Sequence, residues 1–286
     1  MTFPCCRVPA SLAFPLFALA GCGGVANDVA EPLVDTFSCA IRNCTESSTL
    51  GVDEISPRFT ATQVDANRGI TVEGFLGKSA NATTTVLAAG NESVMAGADG
   101  ETEVRMNNPD GKRLDYTAYV NSSAAQPVVR VVFTRAGVRH VSEVALPAAF
   151  TVLQPTGTPT LRRAGSALAV RLNLATSGDA GAAASGSCTR TDGSTFQVKE
   201  QGLGAVTETG VAGGYRLEPA TVDTALNNAS REANNNVANT PAVSECQLTV
   251  AWIRTAYGTI APTLNGHGTL RGRREATHLL SYDARS

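Results

Sequence analysis

The chain has 286 residues, of which 43% are hydrophobic and only 17% charged, with a formal net charge of −2. That apolar share supports real cores, in one large domain or two small ones at about 100–200 residues each. The charge balance excludes electrostatic binding of nucleic acid, which calls for clustered basic charge.

Within the first twenty residues Arg7 is the only charge, and an apolar run from Ala10 to Ala20 ends in small residues. A basic start, an apolar middle and a small-residue end describe a secretory signal, here too short and too proline-interrupted to span a bilayer. The run closes on Leu19-Ala20-Gly21-Cys22. This stretch resembles the lipobox of bacterial lipoproteins, with Cys22 standing where that family's cysteine is diacylated, freed by signal peptidase II and N-acylated. The resemblance implies that the protein's partners include a membrane, reached through lipid on Cys22. One acyl chain anchors only marginally and two or more hold firmly, at about 0.8 kcal/mol per buried CH₂. Gly23 occupies the position where, in Gram-negative lipoproteins, an Asp tends to retain the protein at the inner membrane. The resemblance therefore implies the outer membrane, facing the periplasm or the cell surface.

Residues 22–50 are small and polar, and read as the lipidated N-terminus with a spacer. Of seven cysteines, Cys5 and Cys6 leave with the signal and Cys22 takes the lipid. Cys39, Cys44, Cys188 and Cys246 remain, an even number in an oxidising compartment, and read as two disulfides. Three connectivities are open to four cysteines; loop closure favours Cys39 with Cys44, which leaves Cys188 with Cys246. The second pair closes a loop of about 60 residues, worth on the order of 4 kcal/mol. A Cys₄ metal site is disfavoured, because no gap between them is the two-residue kind zinc favours. No metal and no cofactor are expected.

From about residue 51 short alternating runs separated by turn residues predict strands. They fall at 57–64, 70–76, 83–88, 101–106 and 114–120, with a hairpin from Val128–Thr134 to Val138–Leu146 through Arg135-Ala136-Gly137. Pro147, Pro155, Gly157 and Pro159 mark a domain boundary near 149/150. Beyond it Leu168, Val170, Leu172 and Leu174 share one face. Strands follow near Cys188, at 196–198 and 215–217, and in a closing hairpin at 246–256 and 268–282. Pro219–Leu226 reads as one or two helical turns, followed by an Asn-rich polar loop to Thr240 that is either an insertion or a binding loop. Cys246, Leu248, Val250 and Trp252 alternate onto one face, which puts a cysteine and the only tryptophan into one core. A core disulfide beside a tryptophan resembles the immunoglobulin-like sandwiches, although Trp252 follows both cysteines here and Ser244 stands where that fold has a tyrosine. The expected architecture is all-β: two antiparallel Ig-like sandwiches in tandem, residues 51–149 and 150–286, after the signal (1–21) and spacer.

Little catalytic chemistry is legible. His140, His267 and His278 are the only histidines, no two at metal-ligand spacing, and no nucleophile elbow or phosphate loop occurs. Asp99-Gly100-Glu101 with Glu103, and Asp110 with Asp115, lack the spacing of a dedicated calcium loop. Arg271, Arg273 and Arg274 read as a solvated edge that discourages strand addition. The expected function is a non-catalytic envelope interaction module whose partner, a protein or a glycan and not nucleic acid, is met through loops or a sheet edge. The alternatives are a carbohydrate-active or other envelope enzyme using paired carboxylates about 5–10 Å apart, or an accessory subunit of an envelope assembly.

Overall fold

The computed structural model describes residues 43–65, 69–79, 81–99, 101–108 and 114–285. Leu19, Ala20, Gly21, Cys22 and Cys39 lie outside the described residues. In chain order the strands are β1 (Cys44–Glu46), β2 (Ile55–Val64), β3 (Gly69–Lys78), β4 (Asn81–Leu87), β5 (Ser93–Ala98), β6 (Val104–Arg105), β7 (Tyr116–Asn121), β8 (Val128–Arg135) and β9 (Val138–Ala145). They continue as β10 (Val152–Gln154), β11 (Thr160–Arg162), β12 (Leu168–Leu172), β13 (Gly181–Arg190), β14 (Thr195–Gly202), β15 (Val206–Thr207) and β16 (Gly214–Leu217). Helix α1 (Pro219–Ala233) then precedes β17 (Val243–Tyr257) and β18 (Thr269–Asp283).

These strands form one 10-stranded sheet, ordered β1-β4-β3-β2-β18-β17-β13-β14 with β7 also on β3 and β11 also on β18. Two 4-stranded sheets complete the fold, β6-β5-β8-β9 and β10-β12-β16-β15. The first encloses a core with Phe59, Ile70, Val72, Val131 and Phe133 against one half of the large sheet. The second, with α1, encloses another around Trp252, Tyr215, Tyr282 and Leu226. Period-2 patterning is the cause: in β7 the buried Tyr116, Ala118 and Val120 alternate with more exposed Thr117, Tyr119 and Asn121. The fold is all-β, sheet packed on sheet in sandwich layers, with α1 the one α-helix among the described residues, and its strand pairs are antiparallel apart from β1–β4, β11–β18 and β18–β2.

The two cores are not separate in sequence. Ala261, Leu264 and Leu270, beyond the boundary read at 149/150, belong to the first core. β18 runs parallel beside β2 from Thr269↔Arg58 to Glu275↔Val64. Length is the reason: β17 and β18 have 15 residues each, about 50 Å of extended chain, enough to line both cores. The hairpin appears where alternation placed it; that it crosses to the first half was invisible, because the same alternation suits either core.

The expected edge of arginines is a correction. β18 lies inside the large sheet between β2 and β17, so Arg271, Arg273 and Arg274 guard no edge. Arg274 is buried on the inner face, donating from Nε to the Pro147 carbonyl at 3.3 Å, from Nη2 to the Ala125 carbonyl at 2.8 Å, and from Nη1 to Gln63 Oε1. Burial pulls its guanidinium below the ordinary arginine value.

Other differences are local. The expected spacer ends within the folded body, since β1 pairs with β4 and Ser47–Thr49 forms a turn of 3₁₀ helix. A buried clasp holds that turn. Arg135 donates to Glu92 Oε1 at 2.5 Å and to the carbonyls of Leu50 and Ser47, while Ser47 Oγ donates to the other Glu92 oxygen. The segment after Pro219 is a 15-residue helix, four turns where one or two were predicted. Its inner residues Val222, Leu226 and Ala229 keep helical spacing, masked in the sequence by the asparagines and short polar residues between them. Asp223 of α1 accepts from Arg163 Nη2 at 2.7 Å and from Tyr282 at 2.5 Å, and Arg190 Nε donates to Ser230 Oγ at 2.8 Å. Those bonds fasten the helix to the strands, so the first half of the expected 220–240 loop is structural.

Cys188 and Cys246 are bonded, as the count and loop closure favoured. They face each other directly on neighbouring strands β13 and β17, Cα to Cα 4.1 Å. The bond therefore ties two strands of one sheet and does not bridge two sheets as the immunoglobulin comparison implied. Trp252 shares its core, tilted against Tyr215 at 4.9 Å between ring centroids. Cys44 is also disulfide-bonded.

Candidate functional site

The inner faces of all three sheets are consumed by the two cores, which leaves their outer faces, that of the large sheet the broadest at ten strands. Odd-numbered residues of β17 and β18 and even-numbered residues of β2 point there, by the same alternation that sends Phe59, Trp252 and Leu280 inward. Where the two halves join, the face is hollowed into a groove of about 400 Å³ lined by Thr62, Thr71, Glu73, Ala183, Ser185, Glu200, Ala251, Arg273 and Glu275. That volume falls within the range of small-molecule sites. The floor is made of small side chains and the rim of charged ones.

Arg273 organises the groove. Its Nη1 lies 2.6 Å from Glu200 Oε1, and its Nε lies 2.6 Å from Glu275 Oε1. The second contact is an ion pair and not an aligned hydrogen bond, since Nε has no bond of proper geometry. Burial pushes the Glu275 carboxyl above its ordinary value; Arg273 opposes that, and Glu200 and Asp65 add to it. Glu200 reaches the guanidinium from a left-handed backbone position, φ 47°, at the irregular end of β14.

Two exposed tyrosines share this face. Tyr119 stands opposite Thr71 on the neighbouring strand and is 59% exposed. Its ring lies back over Gly69, where an added Cβ would sit 1.5 Å from the tyrosine oxygen. Tyr257, 73% exposed, lies opposite Arg271, whose guanidinium is 5.7 Å from the ring centroid. Sequence reasoning missed the groove. Its residues come from β2, β3, β13, β14, β17 and β18, and only the join of β18 to β2 brings them together. The alternation of Arg271, Arg273 and Glu275 was the one available signal.

The residues singled out from the sequence lie elsewhere. His140 is buried against Phe133, its Nδ1 sharing a hydrogen bond with Thr263 Oγ1 at 2.6 Å. Burial, then Arg135, pull it below the ordinary histidine value. His267 is in the turn, where its backbone N–H donates to Asn265 Oδ1. Asp99 accepts from the Val128 N–H at 2.7 Å and Glu103 pairs with Arg139 at 2.7 Å, so both serve as ties within one sandwich. Among the described residues no group of three or more His, Cys, Asp or Glu is placed to hold a metal ion, and no helix is long and apolar enough to cross a membrane.

His278, on the inner face of β18, has both ring nitrogens buried without partners. Desolvation pulls it down to about 4 from 6.5. The folded state thus keeps the ring neutral, while an unfolded chain takes up a proton near pH 6.5. Stability is full above that pH and falls as the pH drops toward 4. The loss is at most about 3 kcal/mol, and about 2 kcal/mol once water screens the ring's exposed part. Urea unfolding at pH 7.0 and 4.5 should show the fall, and His278→Leu should flatten it; an unchanged pH dependence in the variant would remove His278 from the account.

The chain matches no protein-family model and no curated protein. Similar solved structures include a chimeric titin Z1Z2 functionalized with a KLER exogenous peptide from decorin, at 10% identity and a TM-score of 0.22 over 83% of this chain and 100% of that one. They also include the tandem Ig repeats of Dlar, at 11% identity and a TM-score of 0.26 over 81% and 98%. At such TM-scores the likeness carries no argument, and the fold rests on the strand order and the two cores.

Proposed function

We propose that the protein is a lipid-anchored interaction module of the bacterial cell envelope, held at the outer membrane through Cys22 and meeting its partner on the outer face of the large sheet. The observation that carries the contact surface is the groove around Arg273, where one guanidinium and the carboxylates of Glu73, Glu200 and Glu275 line a single concavity. It replaces the loops and sheet edges to which sequence reasoning looked. A binding role suits its chemistry: both Glu200 and Glu275 are committed to one guanidinium, which holds them in place as acceptors. A second reading, a carbohydrate-active enzyme, draws on the raised Glu275 carboxyl, the property a general acid needs.

The anchor is supported by the lipobox-like Leu19-Ala20-Gly21-Cys22 at the end of the signal-like segment. The test is Cys22→Ser in the full-length chain expressed in a Gram-negative host and fed a labelled fatty acid. Labelling should disappear and the protein should move from the membrane to the soluble fraction. Retained labelling would refute the tether.

A further inference from the structure

We propose that the groove binds an uncharged oligosaccharide, laid across the strands from Glu200 to Tyr119. The inference deepens the reading of the outer face as the contact surface and rests on it. Three features of this face select the ligand. First, Arg273 with Glu200 and Glu275 sets fixed donors and acceptors side by side, the arrangement that sugar hydroxyls, each donor and acceptor at once, satisfy in pairs. Second, the floor of Ala183 and Ala251 leaves room for a ring to approach the sheet. Third, Tyr119, 59% exposed with its hydroxyl end over Gly69, stands in the same cross-strand row as Thr71, Thr62 and Arg273, an aromatic side chain available to the C–H face of a sugar. From β18 to β7 is three strand spacings, about 14 Å, so the same ligand chain that bonds Arg273 can reach Tyr119.

Charge separates this ligand from its rivals. Glu73 remains beside the paired acids, so a phosphate or an acidic sugar would be repelled. A cationic peptide would have to compete with Arg273 for two of the three carboxylates. An apolar peptide would strand the same charges without water.

The experiment uses the full-length protein in detergent, where binding is read independently of the lipid and the Cys22→Ser protein serves equally well. Failure here would leave the anchor standing, and loss of the anchor would leave this result standing. Titration by calorimetry covers a panel of uncharged linear oligosaccharides (α- and β-linked glucose, galactose, mannose and N-acetylglucosamine oligomers), with oligolysine as the competing class. At least one oligosaccharide should saturate the protein. Tyr119→Ala and Arg273→Ala should each weaken it tenfold or more, and Tyr119→Phe should bind as the parent does. The near-UV signal of buried Trp252 reports folding, and because Tyr119 is exposed its variant decides the matter even if Arg273→Ala unfolds. Saturation by oligolysine instead, no saturation by any sugar, or an unweakened Tyr119→Ala would each overturn the proposal.

Discussion

Replacing Cys188 and Cys246 together by alanine should lower the free energy of unfolding by about 4 kcal/mol. The bond closes a loop spanning 58 residues, and the chain-entropy relation for a loop of that size gives about 4 kcal/mol. Both cysteines are nearly unexposed, each at 1%, so no solvent-facing rearrangement offsets the loss. Their place matters as much as the loop. They sit opposite each other in the ladder that joins β13 to β17, between the helix-bearing end of the second core and the ribbon that continues into the first. Guanidinium unfolding followed by Trp252 fluorescence should show a lower midpoint and a steeper slope, because the unfolded chain without the cross-link exposes more surface. A loss under about 1 kcal/mol would mean that the strand ladder and the core hold the two segments without the bond.

Arg274→Ala should cost about 3 kcal/mol. The side chain gathers three otherwise remote segments: Gln63 of β2, the Ala125 carbonyl in the loop before β8, and the Pro147 carbonyl in the connection between the halves. Removing it leaves those buried oxygens without this donor, at about 1–3 kcal/mol for a stranded buried group, and opens a cavity. No carboxylate pairs with Arg274 among the described residues, so the native arrangement itself carries a desolvation cost. Arg274→Met should therefore lose less than Arg274→Ala, because it fills the space and removes the buried charge. Chemical unfolding of the two variants beside the parent decides it; equal losses would show that the stranded hydrogen-bond acceptors dominate and that the cavity and the buried charge add little.

How much of this was legible in the sequence follows from the range of each signal. Alternation is local, and it placed Tyr116–Asn121, the Val128–Ala145 hairpin and the ribbon ending in Tyr282 near where they stand. An even cysteine count together with loop closure pointed to the Cys188–Cys246 bond. What failed depended on contacts distant in sequence. An arginine on a strand near the chain end looks like a solvated edge until β2, some two hundred residues earlier, is found hydrogen-bonded beside it. The length of α1 was hidden because Asn227, Asn228 and Ser230 carry poor helix propensity, while the tertiary ties through Asp223 and Arg190 hold the helix. The candidate site was the least legible part, since its six strands share no continuous stretch of sequence.

The ribbon formed by the last two strands has a consequence for how the protein is made. The first core includes Leu270, and its strand β2 takes a neighbour from the final twenty residues. A chain emerging N-terminus first cannot complete its first core until β18 is available. Pairing between such distant segments carries a loop-closure penalty before any contact rewards it. Until β18 arrives β2 lacks its neighbour along one edge, which makes that interval, and not the finished body, the stage at which chaperones or proteases meet the chain.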